Sequence, residues 1–147
     1  MPMAESMREL LNSSQLNSLV IALRMFEEQL RRAEASLEGD LPEGVLYQYT
    51  RQMPPERISA ALAEIAAALQ AIATLARDLD ATPASEPIEA RVAAALNISW
   101  ANLCDVKSAR LVRYGTVDDA LGGLLDSRID ALARQALYLA TLFGNES

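Results

Sequence analysis

Four polar residues in the C-terminal half of the chain are of types that could bind an anion. The four are Asn102, Lys107, Arg110 and Arg128. They fall in or beside the apolar stripes of the last two predicted helices, where charged groups are costly to bury unless they are paired. If these helices form an antiparallel hairpin about Gly115, the four side chains line a small polar pocket between them.

The same residues also fit an arrangement without any pocket. Long basic side chains bury their methylene groups and keep the charged end in water. Lys107 and Arg110 would then extend past the helix edge toward a nearby carboxylate, that of Asp105, Asp118 or Asp119. We favour this alternative over the pocket.

Two pairs of acidic residues have a spacing that places both carboxylates on one helical face. They are Glu86 with Glu89, and Asp126 with Asp130. Such pairs bind magnesium in some helical enzymes. The first pair lies at a predicted helix start, where acids are favoured anyway, and Asp130 has Arg134 four residues later. We therefore interpret both pairs as solvated surface and predict no metal and no cofactor.

The absence of histidine removes most of the chemistry that helical proteins perform. Phosphotransfer on histidine, haem ligation by histidine, Glu-x-x-His di-iron sites and Ser-His or Cys-His catalysis are all excluded. The single cysteine, Cys104, cannot build a structural zinc site. No glycine-rich phosphate loop is present. Enzymatic activity stays open, but the sequence favours a protein without it.

Three aromatic residues could form the walls of an apolar cleft. Tyr47 and Tyr49 lie in the segment after the first long helix, and Trp100 lies in the third helix. The alternative is that they are ordinary core residues, which is the commoner fate of a buried aromatic side chain.

The elements that must position these residues are helices, because apolar residues recur at steps of three and four along most of the chain. We predict helices over residues 15–38, 55–80, 86–113 and 117–143, the last one capped by Thr116 and Asp119. The predicted fold is all-α: a four-helix up-and-down bundle forming a single domain over residues 1–147. An ordered crossover that buries apolar residues follows the first long helix, and a short helix precedes it at residues 5–12.

The last predicted helix has a core face of large apolar residues. The face consists of Leu121, Leu125, Ile129, Leu132, Ala136, Leu139 and Phe143.

The second predicted helix has two distinct faces. Its core face repeats with a heptad spacing through Ile58, Leu62, Ile65, Leu69, Ile72, Ala76 and Leu79. The reverse face carries a row of alanines, namely Ala60, Ala63, Ala67 and Ala71. Alanine could simply fill this surface because of its helix propensity. Alternatively, the row allows close approach of another helix, most simply from a second copy of the chain.

Charge and cysteine content limit the partners and the compartment. The net charge is −7 and the basic residues are scattered, so we predict no nucleic-acid partner. The longest apolar stretch, residues 58–76, contains Glu64 and Gln70, and we interpret it as a core helix and predict no membrane partner. One cysteine and no secretory N-terminus favour the cytoplasm.

These observations favour a non-catalytic helical bundle that acts through protein contacts. The expected assembly is a homodimer formed by the alanine row or by the edge that the crossover presents. An unidentified protein partner is also compatible with the pattern. The alternative is a small-molecule domain that binds an anion, or a helical enzyme domain that uses carboxylates and magnesium.

Overall fold

The computed structural model describes residues 6–144, which form five α-helices and no strand. The helices are α1 (Ser13–Glu38), α2 (Pro55–Asp78), α3 (Ile88–Cys104), α4 (Ser108–Leu111) and α5 (Leu121–Gly144). Short 3-10 helices occupy Met7–Leu10 and Val112–Tyr114. The all-α class is confirmed, and the first 3-10 helix lies where a short N-terminal helix was predicted. The up-and-down order of four helices remains a prediction.

The chain divides into two compact units, Met1–Pro83 and Ala84–Ser147. In the first unit α1 packs against α2, and in the second α3 packs along α5. Each unit is therefore built on one pair of long helices. The single-domain organisation remains a prediction.

The core of the first unit forms where the predicted apolar faces of α1 and α2 meet. Leu30, Ile65 and Ile72 are buried together. Partly buried residues surround them, namely Leu23, Leu37, Ala68 and Leu69. α1 begins with a reciprocal cap between Asn12 and Gln15, in which each side chain accepts a hydrogen bond from the other's backbone N–H. The heptad face predicted for the second helix is thus the face that contacts α1.

The crossover between α1 and α2 buries less than predicted. Leu41 and Met53, near its two ends, are half-buried. Between them Val45 is 101% exposed and Leu46 is 95% exposed. Arg51 donates a hydrogen bond to the carbonyl oxygen of Leu37 at the end of α1. The segment is therefore held by polar contacts, and the expectation that its apolar residues are buried is wrong for its central part.

The third helix ends at Cys104, and the prediction of one continuous helix over residues 86–113 is wrong. Lys107 is extended, with ψ of 161°. The backbone N–H of Ser108 donates to Oδ1 of Asp126 at 2.8 Å instead of continuing the helix, and its hydroxyl donates to Oδ2 at 2.7 Å. A carboxylate from α5 thus starts α4 as a separate short helix.

The last helix starts at Leu121, four residues later than predicted. Oδ1 of Asp118 accepts a hydrogen bond from the N–H of Ala120 at 2.8 Å, which holds a turn ahead of the helix. The predicted cap by Thr116 and Asp119 is therefore wrong.

The most deeply buried residues between α3 and α5 are alanines rather than leucines. The buried residues of this unit are Ala93, Ala133, Ala136 and Ala140. At the end of α5, a Cβ atom on Gly144 would lie only 3.2 Å from Cβ of Ala93. Small side chains let helix axes approach to about 8 Å. In the predicted core face of this helix, Leu132, Leu139 and Phe143 are instead exposed.

Candidate functional site

The structure does not join the four polar residues of the predicted anion pocket. Nζ of Lys107 lies 2.9 Å from Oδ1 of Asp130, and Nη1 of Arg110 lies 3.7 Å from Oδ1 of Asp105. Asn102 and Arg128 are exposed. Within residues 6–144, no hydrogen bond or ion pair connects any two of the four side chains. Arg110 therefore follows the alternative in which it reaches Asp105, and Lys107 reaches an acid that the sequence did not indicate.

Two of the four carboxylates considered for magnesium, Asp126 and Asp130, serve as structural contacts, and Glu86 pairs with Arg91. Hydrogen bonds from the backbone N–H and then the hydroxyl of Ser108 lower the pKa of Asp126 below its ordinary value. The hydrogen bond with Asp130 raises the pKa of Lys107 above its ordinary value. Asp130 pairs with Lys107 instead of with Arg134 as predicted. This arrangement fastens the start of α4 to α5.

Each unit has an open groove on its described surface. The first-unit groove, about 440 Å³, has an apolar floor of Leu16, Val20 and Leu79, with Arg8 and Asp80 at its rim. The second-unit groove, about 420 Å³, lies between α3 and the end of α5. None of the residues predicted for the anion pocket lines either groove. Neither of these grooves is therefore the predicted anion pocket, and the small-molecule alternative stays a prediction.

The predicted aromatic residues are exposed, and two of them touch. The rings of Tyr47 and Tyr49 meet edge to face, with centroids 5.8 Å apart. A tight turn places them there, because the N–H of Gly44 donates to the carbonyl oxygen of Tyr47. Trp100 is 39% exposed in the second unit. A cleft shared by all three residues stays a prediction.

The predicted alanine row of α2 is exposed along its whole length. Ala60, Ala63, Ala67 and Ala71 are all exposed. They lie opposite Ile65 and Ile72, which contact α1. The face they share therefore has no neighbour within the first unit.

α2 is also apolar beyond what its burial explains. An 18-residue window of this helix has a mean hydropathy of 1.7, yet only 11% of the window is buried. By length and composition alone, the helix is long and apolar enough to cross a membrane. The interpretation of residues 58–76 as a core helix is thus wrong for most of its circumference. A large exposed apolar surface is typical of a site that contacts another protein or a membrane.

A second exposed apolar surface lies on α5 and was not predicted from the sequence. Leu132 and Leu139, predicted as core, are 49% and 41% exposed. Two polar residues of the same helix, Arg128 and Gln135, could have indicated this surface. They lie seven residues apart and alternate with the leucines at steps of three and four. Polar residues at such positions are typical of a helix contact surface rather than of a dry core.

The comparisons with known proteins give the chain no relative. No protein-family model matches it, and neither the curated proteins nor the solved structures contain a match.

Proposed function

We propose that the protein is a non-catalytic helical protein of the cytoplasm that acts through self-association, with the exposed alanine face of α2 as the contact between two copies. The observation that carries the proposal is that this apolar helix is only 11% buried along its most apolar window. The exposed alanines Ala60, Ala63, Ala67 and Ala71 define the contact. A two-fold axis would pair this face with itself.

The second unit shows how this chain uses small side chains. There the residues buried between α3 and α5 are alanines, with 5–8% exposure. A row of alanines in this protein is therefore suited to close helix packing, and the row on α2 is the same kind of surface without its neighbour. This precedent supports a helix as the occupant of the α2 face.

The central test replaces Ala67 by glutamate. Ala67 is exposed, so the change leaves the first unit folded, but in a dimer it would bury an unpaired carboxylate from each copy. Such burial costs several kcal/mol, so we expect the dissociation constant to rise at least ~100-fold. Sedimentation equilibrium measures the effect as a shift from about twice the 15.9 kDa chain mass to the chain mass itself.

The matched control is Ala95→Glu, an exposed alanine of α3 on the side away from Ala93. This variant should self-associate like the wild type. A wild-type chain that is monomeric at tens of micromolar, or a dimer that persists in Ala67→Glu, would contradict the proposal. So would binding to phosphatidylcholine vesicles by a monomeric chain, because α2 would then be covered by lipid.

A further inference from the structure

A second apolar surface, separate from the α2 face, runs along α5. It consists of Leu121, Leu125, Arg128, Leu132, Gln135, Leu139 and Leu142, which we call the α5 seam. The steps between its members are four, three, four, three, four and three, which is the heptad spacing of a helix-to-helix contact. At 1.5 Å per residue the seam is about 32 Å long.

The α5 seam is uncovered over most of its length. Leu121 and Leu125 are half-buried, whereas Leu132, Leu139 and Leu142 are 49%, 41% and 56% exposed. The fully buried residues of α5 are alanines, and these three leucines stay exposed beside them. The seam is therefore a contact surface without a neighbour in its own unit.

Arg128 defines the chemistry that the occupant must supply. Within the described part of the chain its guanidinium makes no hydrogen bond or ion pair. Its neighbours one helical turn away are Leu124, Leu125, Ala131 and Leu132, all apolar. The nearest acids in sequence, Asp126 and Asp130, lie on another side of the helix and are engaged with Ser108 and Lys107.

An occupant that covers the seam must therefore offer leucine-sized apolar groups and one carboxylate. A bilayer would place the Arg128 guanidinium against hydrocarbon, which is costly. A second copy of the seam brings no carboxylate, because an antiparallel pair sets the neutral amide of Gln135 opposite each Arg128 and leaves both arginine charges uncompensated. A partner helix with an apolar face and a glutamate or aspartate in it meets both requirements.

We propose that the α5 seam binds an amphipathic, acidic helix of another protein, with a carboxylate of that helix paired to Arg128. The bound helix lies along the 32 Å seam, with its apolar face on Leu132, Leu139 and Leu142. The carboxylate of that helix complements the charge of Arg128, whereas Lys107 and Arg110 already have acidic partners and Arg134 lies on a different side of α5. This function goes beyond self-association and uses a different surface.

The test uses the full chain and three synthetic helical peptides. Each peptide has seven contact positions, separated by the same alternating steps of four and three residues as the α5 seam. Leucine occupies five of these positions. The third and fifth positions both carry glutamate in the first peptide, glutamine in the second and lysine in the third. One polar residue then meets Arg128 whether the peptide lies parallel or antiparallel to α5. We expect the glutamate peptide to bind at least ~10-fold more tightly than the lysine peptide, measured by fluorescence anisotropy. Arg128→Glu should reverse this order.

Arg134→Glu is the matched control, since Arg134 is exposed on the same helix but on a different side. It should leave the order of the peptides unchanged. The binding should also persist in Ala67→Glu, which separates this proposal from self-association through α2. Four outcomes would each overturn the proposal of a bound acidic helix. They are equal binding of the three peptides, a reversed order of peptide affinities in Arg134→Glu, binding to phosphatidylcholine vesicles through the seam, and dissociation of a dimer by Arg128→Glu.

Discussion

Asp126 determines where the backbone leaves the helix between α3 and α4. Its two oxygens accept both the N–H and the hydroxyl of Ser108, which leaves the chain extended at Lys107. Residue types and spacing could indicate an ion pair between Arg110 and Asp105, because the two residues are close in sequence. They could not indicate a pairing across 18 residues, since that depends on how α5 packs. The break between α3 and α4 follows from this long-range contact.

At the residue scale, the Asp126 contact makes stability depend on pH. The folded state lowers the pKa of this carboxyl, so its contribution is present above the ordinary value of 3.8 and is lost as the pH falls through the lower folded value. We expect Asp126→Ala to lower the thermal midpoint by a few degrees at pH 7. The difference from the wild type should shrink below pH 3.8.

Thermal unfolding followed by circular dichroism at several pH values measures this dependence. The control is Asp40→Ala, an exposed aspartate outside the helices. If Asp126→Ala lowers the thermal midpoint by the same amount at neutral and acidic pH, the charge of this carboxylate does not contribute to stability.

At the scale of the element, α5 shows why periodicity identifies a helix but not its neighbour. Apolar residues cover most of its circumference, and the largest ones were assigned to the core. The structure buries Ala136, as predicted, but with it Ala133 and Ala140 instead of the large residues Leu132, Leu139 and Phe143, because small side chains allow a closer approach. The helix itself was predictable from spacing. The part of its apolar surface that contacts α3 was not, since spacing contains no information about the neighbouring element.

Enlarging one of these alanines tests the close packing of α3 on α5. Ala140→Leu adds three carbon atoms at a site with 5% exposure. We expect it to lower the free energy of unfolding by about 1–3 kcal/mol through overpacking, measured by urea denaturation. Ala95→Leu, on the exposed side of α3, should change stability by less than about 0.5 kcal/mol. A stabilised Ala140→Leu chain would mean that α3 and α5 do not approach closely.

At the scale of the whole molecule, the chain is helical but exposes a large share of its apolar surface. The heptad spacing in the second helix correctly predicted the face of Ile65 and Ile72. The alanine row was also recognised in the sequence, because small residues stood where charges were expected. What composition could not supply is the extent to which α2 stays uncovered, which depends on packing. The apolar content that predicted a core is instead divided between thin cores and exposed faces.

Self-association that covers α2 should couple stability to concentration. When folding and dimerisation are linked, the thermal midpoint rises with protein concentration by mass action. For a chain of this size we expect about 2–4 °C for each tenfold increase in concentration. Differential scanning calorimetry from about 2 to about 200 µM covers the range in which such a dimer would assemble.

Ala67→Glu should have a lower midpoint that is independent of concentration, whereas Ala95→Glu should keep the wild-type slope. If the wild-type midpoint is also independent of concentration, the α2 face does not pair with itself, and its 11% burial must be explained by another occupant.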